Sequence, residues 1–364
     1  MKIKMKMNSF LRFITLSFFI FSSSSFSMNT KTIATIGPAC ESYEKLKALH
    51  KCGVNIFRIN MSHCNKHEDA QKIIDDLAKI KSEHQEKLEI LIDLQGPKYR
   101  IGEIYGGHCF VNVGDKIVLD CREEPGDYTR VCLPHLELFH HLNKNDIILI
   151  DDGMLKLKVL ENTGRELHCV VLIGGQLKSN KGINMPYVDI NWTNITPKDE
   201  RDLELINKNN IDWVALSFVQ NHNDIVTLWR NLITNSKIMA KIEAPGAVHD
   251  IEKIIEYSNG IMIARGDLGV EMGYENVPFI QKRAAKIAKK YDCQVFIATQ
   301  MLESMILNNI PTRAEVSDVA NAVLDGANGV MLSGETSVGK YPIETVEILQ
   351  RILYEAEMYK ANGD

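Results

Sequence analysis

From Lys31 onward the chain alternates between short apolar runs of strand length and longer stretches in which apolar positions recur every three or four residues. The strand candidates are "TIATIG", "NIFRIN", "LEILIDL", "DWVALSFV", "IMAKIE", "GIMIARGD", "QVFIATQ" and "GVMLSGE". Between them lie stretches of helical period such as "ESYEKLKALHKCG", "HEDAQKIIDDLAKIKSE", "VPFIQKRAAKIAKKYD" and "TRAEVSDVANAVLDGA". An apolar run followed by a turn and a helix is the mark of a parallel βα unit, because helices cover the faces of a parallel sheet. Eight such runs predict a closed (β/α)8 barrel, a TIM barrel, in preference to an open doubly wound sheet.

The spacing breaks after the third run. From about residue 102 to 195 the pattern changes to alternation, in "FVNVGDKIVLD", "DIILIDDGMLKLKVLEN" and "ELHCVVLIGG". In "LKLKV", Leu155, Leu157 and Val159 share one side and Lys156 and Lys158 the other, as in a half-buried antiparallel strand. This predicts a small β-barrel-like domain inserted after strand 3 into a barrel made of residues 28–101 and 196–364. An insertion there leaves and re-enters at the barrel end where active sites form, so it is placed to act as a lid.

With 364 residues, 45% of them apolar, the chain can bury a large core. A net charge of -5 leaves no basic stripe for nucleic acid, although 42 Lys and Arg allow a local anion site. Eight cysteines without a C-x-x-C pair offer no zinc or thioredoxin-like motif and point to a reducing compartment. Residues 1–27 read in two ways. "MKIKMKMNSF", "FITLSFFIF" and "SSSSFS" have the order of a signal peptide, but no small-x-small cleavage site follows. Met28 stands immediately before the ordered pattern, so an upstream start that is not used is the preferred reading, with a cytoplasmic location. The apolar run is too short to span a bilayer as a helix.

Candidate chemistry collects at strand ends. In "AKIEAPG", Lys241 and Glu243 are two apart and project to the same side, roughly 6 to 7 Å apart along the chain. In "ARGDLG", Arg265 and Asp267 flank Gly266. Asp267 beside Glu243 makes an oxygen site suited to Mg²⁺, which takes one or two protein carboxylates when substrate oxygens supply the rest. A ring of ion pairs at the barrel mouth is the alternative. Strand 2 ends as "RINMSHC", where Arg58, Asn60 and Ser62 share a face by the same rule and His63 follows. That set suits a phosphate, though a solvated strand end reads the same way. Thr299 in "ATQM" and Ser333 to Glu335 in "SGET" add hydroxyl and carboxylate groups on the same rim. "DLQGPKYR" carries Lys98 and Arg100 past a Gly-Pro corner, and alone it reads as a charged loop.

Together, "TIATIGPA", "FRINMSH", "DLQGPKYR", "DDG", "AKIEAPGAVHDIEKII", "GIMIARGDLGVE", "ATQMLESMI", "PTRAEVSDVANAVLDGANGVMLSGET" and "GKYP" resemble the pyruvate kinase family, in order and at matching intervals. The resemblance implies a barrel whose inserted β domain closes over a nucleotide. It also implies Mg²⁺-dependent transfer of phosphate from phosphoenolpyruvate to ADP, with Mn²⁺ as an alternative metal. Lys241 then stabilises the phosphoryl group in flight and the enolate oxygen, Glu243 and Asp267 bind the Mg²⁺, and Arg58 and Arg100 hold phosphates. His63 and Asn60 lie near the nucleotide, with Asp151 and Lys181 reaching in from the lid. Asn60, Ser62, Asp93 and Leu94 match a monovalent-cation pocket. Thr299 matches the hydroxyl near the substrate carbon that is protonated, with Glu335 sharing a water relay. Ala264, Arg265 and Gly266, with Asp267, match the backbone that receives the substrate carboxylate.

Departures from the family pattern sharpen these expectations. Potassium-dependent members resemble "DTKGPEIR", with an acidic residue at the position of Lys98. A second group has Leu, Gln and Lys at the positions of Leu94, Gln95 and Lys98, and this chain resembles that group. The Lys98 ammonium can supply the charge that a bound K⁺ otherwise contributes, so K⁺ is not expected to be required. Cys64 stands where the family has Gly, and its side chain can crowd the nucleotide. Full-length relatives continue into an α/β effector domain beyond the position of Asp364. The expectation is therefore a barrel without that control, forming a homodimer through the helix that carries Arg313 in place of a tetramer. Two other readings stand beside this one. The first is a catalytically silent barrel that binds phosphoenolpyruvate or nucleotide, and the second is a carbon-carbon lyase, which has no need of a nucleotide lid.

Overall fold

A computed structural model describes residues 28–64, 66–84, 87–186, 188 and 195–363, so the signal-like segment at 1–27 lies outside the described residues. Among them are eight parallel strands, β1 (Lys31–Thr35), β2 (Ile56–Asn60), β3 (Glu89–Asp93), β4 (Trp213–Leu216), β5 (Lys237–Ile242), β6 (Gly260–Ala264), β7 (Gln294–Ala298) and β8 (Gly329–Leu332). Each pairs with the next, and β8 closes on β1 with Lys31 opposite Gly329 and Ala34 opposite Leu332, forming the expected barrel.

The strands are apolar on both faces because each face is buried. Outward residues such as Phe57, Ile92, Val214, Ile238, Ile263 and Val330 pack under the surrounding helices. The inward set of Ile33, Ile56, Leu91, Trp213, Ala215, Met239, Met262, Phe296, Ala298 and Met331 fills the barrel as a separate core. Trp213 and Phe296 meet edge to face there, with ring centroids 5.6 Å apart. Their bulk is accommodated by Gly260 and Gly329 at the starts of β6 and β8. A Cβ on Gly329 would lie 2.6 Å from the Phe296 ring, and one on Gly260 would lie 3.1 Å from that of Trp213. At the lower end Lys31 and Lys237 lie over the Trp213 ring and both pair with Glu89, at 2.6 and 3.3 Å.

Between β3 and β4 the chain builds a second body. Its six-stranded sheet has the spatial order Ile183–Asn184, Ile147–Ile150, Leu155–Asn162, Glu166–Ile173, Lys116–Asp120, Arg130–Cys132. A separate pair joins Gly175–Lys178 to His108–Val111. Leu155, Leu157 and Val159 are buried while Lys156 and Lys158 are partly exposed, the arrangement their alternation predicts. The core of this lid also takes in Tyr99 and Ile101 on the way out and Met185 on the way back. Arg100 bridges Gly182 at that crossing, so the two connections run side by side above the barrel mouth. Among the described residues no helix is long and apolar enough to cross a membrane.

Candidate active site

Asp93, the last residue of β3, is the shared acceptor at the C-terminal end of the barrel. From β2, Arg58 donates through Nε to Asp93 Oδ2 at 2.8 Å and through a second nitrogen at 2.7 Å, and it also donates to Thr35 Oγ1 at 3.0 Å. From β5, Lys241 Nζ lies 3.4 Å from Asp93 Oδ1 and 3.4 Å from Glu243 Oε2, and it donates to Ser217 Oγ at 2.8 Å. Burial alone would raise the pKa of Asp93, but Lys241 and Arg58 outweigh it and hold the carboxyl below its usual range. For Lys241 burial acts downward, and Asp93 and Glu243 outweigh it, so the ammonium keeps its proton more firmly than an ordinary lysine.

The loop after β4 completes this corner. The apolar run continues to Val219, yet the strand stops at Leu216 because Phe218 adopts a left-handed backbone with φ of 55°. A phenylalanine held there costs on the order of 1–3 kcal/mol. The turn directs its N–H to Glu243 Oε1 at 2.7 Å. Glu243 is fully buried, and its Oε2 has no hydrogen-bond partner among the described residues. Burial pushes the Glu243 carboxyl upward, against the pull of Lys241. Oε2 faces the Lys241 ammonium at 3.4 Å without a hydrogen bond, so it has a lone pair open to a second cation.

Asp267 supplies a second carboxylate from the first turn of the helix Arg265–Met272, which begins directly after β6. Its Oδ1 accepts from Lys98 Nζ at 3.0 Å, and Lys98 also lies 4.0 Å from Asp152 of the lid. Among the described residues no cluster of three or more His, Cys, Asp and Glu could hold a metal. The donor set is therefore a carboxylate pair with one orphaned oxygen, which fits Mg²⁺ completed by water and substrate oxygens.

Thr299 follows β7 in a left-handed conformation with φ of 69°, and its Oγ1 accepts from Gly266 N at 2.9 Å. The Arg265 side chain turns aside, donating to Thr299 O at 2.6 Å and pairing with Asp318 at 2.8 Å, so this residue offers the mouth its backbone. Two expectations need correction. Glu335 is fully buried, with its oxygens accepting from Leu302 N at 3.1 Å and Ser333 N at 2.7 Å, so it ties the loops after β7 and β8 together and is not free to share a water relay. Ser62 does not extend the face of Arg58 and Asn60, because β2 ends at Asn60 and the side chain of Asn60 accepts from Ser62 N at 3.1 Å to cap a short turn over Met61–His63. Leu94 is buried, with its N–H donated to Ala215 O at 3.0 Å.

Arg58, Asn60, His63 and Cys64 line a cavity of about 830 Å³ that also takes in Thr35, Gly37, Lys72 and Ser333. Above the mouth, Asp151 and Asp152 both have left-handed backbones, and Asp151 pairs with Lys181 at 2.7 Å. Arg100 is exposed and donates to Asn180 O at 3.0 Å. Thus Arg58, Asp93, Lys241 and Glu243 form a continuous chain of contacts, Asp267 and Thr299 lie on the same rim, and Arg100, Asp151 and Lys181 stand at the lid crossing. Sequence reasoning missed Ser217 and Thr35. Ser217 interrupts an apolar run at the end of a barrel strand, and that interruption was the available signal.

Comparison with known proteins gives a consistent picture. The family described as "Pyruvate kinase, barrel domain" matches residues 27–346. The chain is 43% identical over 331 residues to a pyruvate kinase of Methylorubrum extorquens, covering 91% of this chain and 69% of that protein. Against a pyruvate kinase of Thermotoga maritima the identity is 39% over 332 residues, covering 90% and 71%. The crystal structure of a pyruvate kinase from Cryptosporidium parvum matches with a TM-score of 0.87 and 34% identity, covering 91% of this chain and 70% of that one.

Proposed function

The chain belongs to the pyruvate kinase family, and from that premise we propose that it transfers the phosphoryl group of phosphoenolpyruvate to ADP, giving pyruvate and ATP, at the barrel mouth beneath its inserted lid. The observation that carries the reading is the convergence of Arg58 and Lys241 on Asp93 beside the orphaned oxygen of Glu243. A phosphoryl group in flight spreads negative charge over its outer oxygens, so the site has to position reactants and supply fixed positive charge. Asp93 serves both needs, since it fixes Arg58 in place and keeps Lys241 protonated. Lys241 therefore acts as a cation toward the phosphoryl and enolate oxygens and not as a base.

Glu243 and Asp267 would hold Mg²⁺, the metal the family generally uses, which when bound neutralises charge on phosphoryl and enolate oxygens. The backbone of Ala264, Arg265 and Gly266 at the start of the helix suits the substrate carboxylate, which would take the Gly266 amide from Thr299 Oγ1. Thr299 Oγ1, which accepts from that amide, would be the hydroxyl that passes a proton toward the enolate carbon. The cavity with Asn60 and His63 suits the nucleotide, with Arg100 available to its phosphates and Asp151 and Lys181 reaching in from the lid. The working division is a barrel of residues 28–101 and 196–364 and a lid of residues 102–195.

Lys98 carries its own charge 3.0 Å from Asp267 Oδ1, which supports catalysis without K⁺ in the pocket of Asn60, Ser62, Asp93 and Leu94. The exposed apolar side chains of Leu307, Ile310, Val316 and Leu324, on and before the helix Arg313–Asp325, support a homodimer through the barrel. All eight cysteines are free, which supports a cytoplasmic location.

The test is a coupled assay of the full chain with phosphoenolpyruvate, ADP and Mg²⁺, beside Lys241→Met. The variant is expected to lose activity by about a hundred- to a thousandfold. Pyruvate formation in the parent no faster than in Lys241→Met would overturn the reading in favour of a silent binding barrel.

A further inference from the structure

We infer that Glu271 is a positioning residue, which latches the hinge strand of the lid to the helix that carries Asp267. Glu271 lies one turn beyond Asp267 in Arg265–Met272, and only 8% of it is exposed. Its Oε1 accepts from Nδ2 of Asn184 at 2.8 Å. Asn184 is 3% exposed and is the last residue of the lid strand Ile183–Asn184. The bond therefore joins two bodies with separate cores through a pair of desolvated polar side chains.

The place of that bond in the chain gives it leverage. The strand Ile183–Asn184 pairs with Ile147–Ile150, setting Asn184 opposite Leu149 and Ile183 opposite Ile150. Ile147–Ile150 runs directly into the left-handed turn at Asp151 and Asp152, and Lys181, three residues before Asn184, pairs with Asp151 at 2.7 Å. The segment after Asp267 touches this hinge again where Tyr274 Oη donates to Asp152 O at 3.3 Å. Moving Asn184 by one ångström would carry Asp151 and Lys181 with it, and displacements of that size can change rates a hundredfold.

The chemistry of the pair suits a register device better than a packing contact. Burial pushes the Glu271 carboxyl up to about 6, against the donors on Asn184 and the Met185 backbone and the charge of Lys98, with Asp267 adding to the rise. An apolar pair would pack there without that penalty, but it would tolerate sliding. A buried, directional hydrogen bond is satisfied in one register. Oδ1 of Asn184 has no partner among the described residues, so the site can also accept a donor from residue 271.

The inference rests on the reading of the inserted body as the lid over the nucleotide, and its test separates the two. Hydrogen exchange is measured on the substrate-free full chain, comparing amides of residues 147–153 and 181–185 with those of the barrel strands. Glu271→Leu and Asn184→Ala are expected to speed exchange in the hinge segments about tenfold or more and to leave the barrel strands unchanged. Glu271→Gln, which still accepts from Nδ2 and can donate to Oδ1, should match the parent. This arm needs no turnover, so it stands or fails whatever the chain does to phosphoenolpyruvate. In kinetics, Glu271→Leu is expected to raise the KM for ADP about tenfold and that for phosphoenolpyruvate less than about twofold, with Glu271→Gln restoring both. The double variant Asn184→Ala/Glu271→Leu should be no worse than either single variant. Unchanged hinge exchange in both Asn184→Ala and Glu271→Leu, equal rises in the two KM values, or additive effects in the double variant would overturn the latch.

Discussion

Asp93 decides how two cations share one buried corner. It faces Arg58 and Lys241 together, and Ser217 Oγ donates to its Oδ1 at 3.3 Å as well as to Leu94 O at 2.7 Å. Asp93→Asn leaves Arg58 without its counter-ion and Lys241 with Glu243 alone, and loss of one partner from such a buried set is expected to destabilise the fold by about 3–5 kcal/mol. Denaturant unfolding measures this, and a loss below about 1 kcal/mol would contradict the role assigned to Asp93. The pairing of Lys241 with Glu243 was legible in the sequence because period-two geometry at a strand end is local. The N–H of Phe218 that holds Glu243 was not legible, since nothing about a phenylalanine announces a positive φ. The burial of Glu335 was hidden for a different reason. Ser333 is its neighbour in the loop after β8, but Leu302 belongs to the loop after β7, and the pairing of those two strands brings it near.

Among the elements, β8 and the lid strands show what pattern can and cannot convey. Strand-length apolar runs located all eight barrel strands, and the change to alternation located the inserted sheet. Strand ends were less legible. The run "DWVALSFV" extends past the strand it contains, and "RINMSHC" turns at Asn60 into its own cap. Glycine at the start of β8 has a spatial cause that pattern does not carry, namely the ring of Phe296, its register partner on the neighbouring β7. Gly329→Ala is expected to destabilise by about 1–3 kcal/mol through overpacking. Phe296→Leu in the same chain should return part of that loss, and equal destabilisation with and without the smaller side chain would show that the ring is not the cause.

At the scale of the whole molecule, a rigid barrel supplies the charged corner and a second body with its own core stands over the mouth. Lys98 lies between them, with its ammonium 3.0 Å from Asp267 of the barrel and 4.0 Å from Asp152 of the lid. A fixed ammonium in that position provides, in every closed state, a charge that a bound ion would have to bring from solution. The lysine itself could be read from the sequence, and its two partners required the fold, because Asp267 lies 169 residues away on a barrel helix and Asp152 on the lid turn. The most direct measurement is the rate of pyruvate formation from phosphoenolpyruvate, ADP and Mg²⁺ as KCl replaces an inert chloride salt at constant ionic strength. For the parent chain the rate is predicted to change by less than about twofold, while Lys98→Glu should fall and then recover with K⁺. A stimulation of the parent by about tenfold or more would contradict the account of Lys98 as the resident cation of this site.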